Sequence, residues 1–171
     1  QQHGIGGFGW MEGIPGNVGG GLRMNAGAMG IETFDQVVSV TCLDEDGEIR
    51  TRSLAEIESF YRNTPVLQHN YALEATFKGI DATPESIQAE LDASREKRKS
   101  SQPVAASAGC TFKNPPSIPA GQLIDELGLK GDRHGAAQVS EIHGNFITNQ
   151  GQATAGEVLG LIQRLQNAAL D

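Results

Sequence analysis

The chain reads as an α+β protein, and three observations carry that reading. Strand-like alternation and helix-like periodicity both occur, but without the regular βαβ rhythm that builds a parallel sheet. Glycine is crowded at one end, where half of the 22 glycines fall between Gly4 and Gly30. Near residues 80–85 a glycine-rich, strand-bearing composition gives way to a helical one, which divides the chain into residues 1–82 and residues 83–171.

Taken in order, "GFGWMEGIPGNVGGGLRMNAGAMGIE" (7–32) has no clean period. Its apolar residues stand isolated between glycines, which predicts loops with one or two short helical turns. "QVVSVTCLDEDGEIRTR" (36–52) is a hairpin turning at Asp46-Gly47. Within it, Val38, Val40 and Cys42 share parity, which assigns Cys42 to the core. Ser53 and Glu56 form a capping box. Leu54, Ile57, Phe60 and Tyr61 follow with the spacing of an apolar helix stripe. "YALEATFKG" (71–79) alternates as a strand.

Thr83-Pro84-Glu85 starts a helix with a cap and an N1 proline. Its basic end, "REKRKSS", places cations where the helix dipole favours them. "PAGQLIDELGLKG" is a helix closed by Gly128, and "NFITN" (145–149) is a short strand. Thr154 and Glu157 cap a final helix whose stripe is Val158, Leu161, Ile162 and Leu165.

Composition excludes several classes. Hydrophobic residues at 38% and charged residues at 20% are those of a globular chain. A net charge of −8 speaks against nucleic acid as a partner. No apolar run reaches the ~20 residues of a membrane helix. Two cysteines and four histidines lack the spacing of a zinc site. One disulfide is arithmetically open, yet a core Cys42 fits a reducing cytoplasm better.

The segment "SAGCTFKNPP" (107–116) is the densest in chemistry. Pro115 and Pro116 forbid a regular helix, and Gly109 frees the backbone before the thiol. The result is a fixed turn that presents Cys110, Lys113 and Asn114. A cysteine hydrolase built on Cys110 and His143 fits poorly, because Pro115 blocks the oxyanion-forming helix that should follow the nucleophile.

Four segments, "GIPGNVGGGLRMNAGAMG" (13–30), "YRNT" (61–64), "AGCTFKNPP" (108–116) and the stretch 120–163, together resemble the UDP-N-acetylenolpyruvoylglucosamine reductases. The resemblance implies an FAD- and NADPH-dependent enzyme that reduces an enolpyruvyl nucleotide sugar to UDP-N-acetylmuramate in peptidoglycan synthesis. It further implies the second portion of an FAD-binding domain, followed by a small substrate-binding domain. By the same resemblance, Arg62 holds the substrate carboxylate and its enolate form. Cys110 stands where the family usually keeps a serine proton donor. Thiols are stronger acids than alkanols, so this departure is expected to preserve the function.

Asn114 and Lys113 match the diphosphate side of the substrate, Arg98 is a further candidate there, and His143 and Asn145 match positions near the substrate. The flavin side is expected at Gly13, Ile14, Pro15, Gly16, Val18, Gly19, Gly20, Asn25 and Gly27. The resemblance also implies a preceding glycine-rich segment and a following glutamate, neither among these residues, so the chain reads as truncated at both ends. Two alternatives stand beside it. One is a non-catalytic nucleotide-sugar binding fragment. The other is a flavin oxidase of related fold, which the Cys110 turn disfavours.

Overall fold

The computed structural model describes residues 3–170, which divide into two compact units at the Arg95–Glu96 boundary. The division falls inside a long helix, thirteen residues beyond the composition shift at 82/83 (95 against 82). No helix among the described residues is long and apolar enough to cross a membrane.

The first unit contains β1 (Ile5–Gly6), α1 (Val18–Arg23), β2 (Gly27–Ala28), β3 (Ile31–Glu32), β4 (Val37–Leu43), β5 (Ile49–Ser53), α2 (Val66–His69), β6 (Tyr71–Phe77) and β7 (Ile80–Asp81). Its main sheet is antiparallel in the order β5-β4-β6. The hairpin turns at Asp46-Gly47 as expected, with Gly47 at φ +83. Val40 and Cys42 are fully buried, whereas Val38 is 45% exposed. The expected parity breaks because β4 and β6 slip register between Val37 and Ser39, which turns Val37 inward in place of Val38. Leu22, Phe34, Ile57 and Leu67 close this core.

The helix expected after Ser53 is a single 3₁₀ turn, Leu54–Glu56. Its capping box forms, but Ile57 is already extended at φ −115, ψ 112. Pro65 disfavours helical backbone at Thr64. The buried Thr64 hydroxyl instead donates to the Leu22 carbonyl at 2.8 Å. Phe60 and Asn63 exchange backbone hydrogen bonds around a tight turn, which leaves Phe60 and Tyr61 exposed and not in a stripe.

α3 (Pro84–Ser101) follows, opened by Thr83 as expected, whose hydroxyl accepts from the Ser86 amide. The second unit then holds β8 (Ser107–Cys110), α4 (Ala120–Glu126), β9 (Arg133–His134), β10 (Ala137–Val139), β11 (Phe146–Asn149) and α5 (Ala155–Ala168). Its sheet is antiparallel in the order β8-β11-β10-β9. Ile124 of α4 and Leu161 and Leu165 of α5 bury against Ala137, Val139 and Ile147. Each fully buried leucine contributes about 1.5–3 kcal/mol. The Thr154–Glu157 capping box forms and fixes where α5 begins. Gly128, at φ +69, closes α4.

Candidate functional site

In the first unit the glycine-rich segment walls a cavity of about 590 Å³. Phe8, Trp10, Met24 and Phe77 supply a largely apolar surface, and Ile14, Pro15, Gly16, Val18 and Gly20 complete the rim. Gly16 sits at φ +110, and a Cβ there would meet nothing within 4 Å. Its backbone angle, and not crowding, is what requires glycine. Around Gly19 and Gly20 a Cβ would approach only Asn17 Oδ1, at 3.5 and 3.4 Å, so the main chain is open to a close-lying group. The Gly20 amide is itself engaged, donating at 2.8 Å to Asn17, the N-cap of α1. A flat, mainly apolar ring system such as a flavin fits this lining through shape and backbone proximity.

Arg62 belongs to a second cluster of the same unit. It lies in the Phe60–Asn63 turn at φ +55, a left-handed conformation that costs a non-glycine residue about 1 kcal/mol or more. Its Nη1 donates to the Asn25 carbonyl at 3.1 Å and to Glu32 at 3.2 Å, and Nη2 donates to the Gly27 carbonyl at 2.9 Å. The guanidinium also lies 4.7 Å from the centre of the Tyr61 ring. Asn25, 2% exposed, accepts from the Phe34 amide and donates to Glu32 and to the Phe60 carbonyl. Gly27 is obligatory here, since a Cβ would stand 2.8 Å from the Ile31 carbonyl and 3.2 Å from Arg62 Nη1. Asn25, Gly27 and Arg62 are therefore one structural group, and it does not include the cavity wall. Gly13, at φ +75, and Gly19 also lie outside the cavity lining.

In the second unit, Cys110, Asn114 and His143 line a smaller cavity of about 310 Å³. Cys110 is exposed at the end of β8 and pairs with Phe146 across the sheet. Asn114 Oδ1 accepts from the Ala120 amide at 3.1 Å, which anchors the proline turn to the start of α4. The His143 ring lies edge-on to Phe146, with centroids 4.9 Å apart. A Cβ on Gly121 would come 2.7 Å from His143 Cε1, so glycine is what leaves the imidazole in its present orientation. Burial lowers the His143 pKa, which keeps the ring neutral near neutral pH. Its Nδ1 accepts from the Asn145 amide, which puts the ring proton on Nε2.

Lys113 is exposed on the same turn but outside the cavity lining. Arg98 is also outside it, in the last turn of α3, with Nη1 donating to Gln102. Residue-by-residue reasoning missed Gln122 and the Lys130–Asp125 ion pair of 2.6 Å, which join the lining. It also missed the aromatic side of the larger cavity. Trp10 and Phe77 are far apart in sequence, and no local signal joins them.

Residues 101–171 match the family described as UDP-N-acetylenolpyruvoylglucosamine reductase, C-terminal domain. The chain is 44% identical over 163 residues to a UDP-N-acetylenolpyruvoylglucosamine reductase of Syntrophus aciditrophicus, covering 95% of this chain and 52% of the relative. It is 40% identical over 169 residues to the reductase of Azorhizobium caulinodans, covering 98% and 55%. Among solved structures, the UDP-N-acetylenolpyruvylglucosamine reductase of Thermus caldophilus superposes with a TM-score of 0.88 at 39% identity, covering 97% of this chain and 62% of that one. The chain thus spans about half the length of the curated relatives it matches.

Proposed function

We propose, for a chain that belongs to the UDP-N-acetylenolpyruvoylglucosamine reductase family, that it carries part of a flavin-binding domain and a substrate-binding domain of the peptidoglycan-synthesis reductase. The reaction converts the enolpyruvyl group of UDP-N-acetylglucosamine-enolpyruvate into the lactyl group of UDP-N-acetylmuramate. FAD is the bound cofactor, NADPH the reductant, and the cytoplasm the compartment. The partner is a small nucleotide sugar, and neither nucleic acid nor membrane is one. The carrying observation is that two of the matched motifs, the glycine-rich segment and the Cys110 turn, each line a cavity of their own unit.

FAD, held against the glycine-rich segment and the Phe8, Trp10 and Phe77 wall, would supply hydride chemistry there, with NADPH as the source of its electrons. Phe8, Trp10 and Phe77 exclude water from the ring system. Arg62 spends three of its five donors on Asn25, Glu32 and Gly27. That leaves the Nε–H and one Nη2–H for the substrate carboxylate, where enolate charge develops. Fixing the fork beforehand means little reorganisation when that charge appears. The Cys110 thiol gives its proton to the neighbouring carbon, and its exposure lets solvent restore that proton. His143 offers a neutral Nε2–H to the nucleotide sugar. Asn114, Lys113 and Arg98 serve its diphosphate.

The test follows NADPH absorbance in the protein carrying this chain, supplied with FAD. Oxidation beyond one NADPH per flavin is expected only after the enolpyruvyl nucleotide sugar is added. Saturable binding of that sugar with no NADPH oxidation would replace this reading with a non-catalytic binding module.

A further inference from the structure

Asn145 matches a position expected near the substrate, but its side chain is 2% exposed and both ends of its amide are taken. Oδ1 accepts from the Phe112 amide at 2.8 Å, and Nδ2 donates to the Phe112 carbonyl at 2.8 Å. A side-chain amide thus does the work of a missing strand residue, holding the main chain two positions beyond Cys110. The backbone of the same residue adds two more ties. Its carbonyl accepts from the Thr111 amide at 2.8 Å, and its amide donates to His143 Nδ1 at 3.2 Å.

These four bonds lie just beyond the Phe146↔Cys110 pair, where the β8–β11 ladder ends. The ladder contains Phe146↔Cys110 and Thr148↔Ser107, with a register shift between them. A strand that slips register reorients its side chains. The last paired position is the one bearing the thiol, and beyond it Asn145 continues the connection. Close packing leaves this clamp little freedom. A Cβ on Gly144 would stand 2.5 Å from the Gly121 carbonyl, and a Cβ on Gly121 would stand 2.7 Å from His143 Cε1.

We infer that Asn145 is a positioning residue that sets the direction of the Cys110 thiol and, through the same residue's amide, the tautomer of His143. This rests on the reading of Cys110 as proton donor only for its kinetic consequence. The geometric consequence stands independently.

Two measurements separate the two. Iodoacetamide alkylation of Cys110, read by mass spectrometry with buried Cys42 as internal reference, needs no cofactor. In Asn145→Asp, whose second oxygen repels the Phe112 carbonyl, Cys110 alkylation is expected to change by about threefold or more while Cys42 stays protected. In the flavin-loaded protein the same variant is expected to lose about ten- to a hundredfold in kcat, with substrate KM within about twofold and a larger solvent deuterium isotope effect. Added to Cys110→Ala, Asn145→Asp should cost nothing further in kcat.

Unchanged alkylation in Asn145→Asp, or an equal kcat loss with and without the thiol, would overturn the inference. Full turnover in Cys110→Ala would instead remove the proton-donor reading and leave alkylation as judge of the clamp. Should Asn145→Asp not fold, hydrogen exchange on the unmodified protein decides. The Phe112 amide is expected to exchange at least about tenfold more slowly than the Lys113 amide, and equal rates would refute the clamp.

Discussion

The two units each carry a cavity, and they shape it by different means. In the first, bare main chain lies beside the apolar wall of Phe8, Trp10, Met24 and Phe77. Glycines 16, 19 and 20 leave the backbone bare, and Arg62 is fixed largely by backbone carbonyls of residues 25 and 27. In the second, side chains do the work. Cys110 is placed by sheet pairing, Asn114 by its bond from the Ala120 amide, and His143 by packing against Gly121. A site built from backbone tolerates few substitutions at its glycines, whereas one built from side chains is tuned at its polar residues. The contrast predicts where each unit is fragile.

The largest expected effect is at the junction of both strategies. Arg62→Ala is expected to lower kcat/KM by about two to three orders of magnitude, measured by NADPH oxidation in the flavin-loaded protein. Arg62→Lys should recover little, since an ammonium cannot reproduce the planar fork that reaches Asn25, Glu32 and Gly27. Full activity in the lysine variant would break the comparison.

Next, Cys110→Ala is expected to lose about a hundredfold in kcat, and Cys110→Ser clearly less, because a hydroxyl still donates a proton. Equal losses in the two would show that the thiol's shape matters and its proton does not. Third, Gly27→Ala is expected to destabilise the first unit by about 1–3 kcal/mol in urea unfolding, because the atom a Cβ meets at 2.8 Å is backbone and cannot move aside. Gly121→Ala, by contrast, is opposed by a side-chain ring that can rotate. It should therefore disturb His143 more than stability.

The smallest effect concerns pH. Burial lowers the His143 pKa below its unfolded value of 6.5, so the unfolded chain binds the proton more readily. Stability of the second unit should fall as pH drops from neutrality through 6.5 toward the folded pKa, and level off below it. His143→Gln should flatten that limb in urea midpoints, and an unchanged limb would assign it to other groups.

Local signals made much of the second unit legible. The Thr154–Glu157 box, the α5 stripe and Gly128 are written within a few residues of where they act. The hairpin at Asp46-Gly47 is legible for the same reason. The Leu54–Tyr61 helix failed because tertiary ties at Thr64 and the Arg62 turn overrode a helical spacing. Val38 failed because a register slip has no sequence signature. Among the candidate residues, the roles given to Arg62 and Cys110 come from resemblance and not from any local pattern. Resemblance did not foresee that Asn25 and Gly27 serve Arg62 and that Gly20 spends its amide on Asn17. Each of these is a partnership across sequence or a choice between two partners, and periodicity cannot express either.

α1 carries a last consequence. Three of its six residues are glycine, so it has little tendency of its own to stay wound. Its order is lent by the Asn17 cap and by the burial of Leu22. Amides in this stretch should thus be among the first to exchange with deuterated water. A guest resting on the exposed glycines would stiffen the segment beneath it, making occupancy readable as protection.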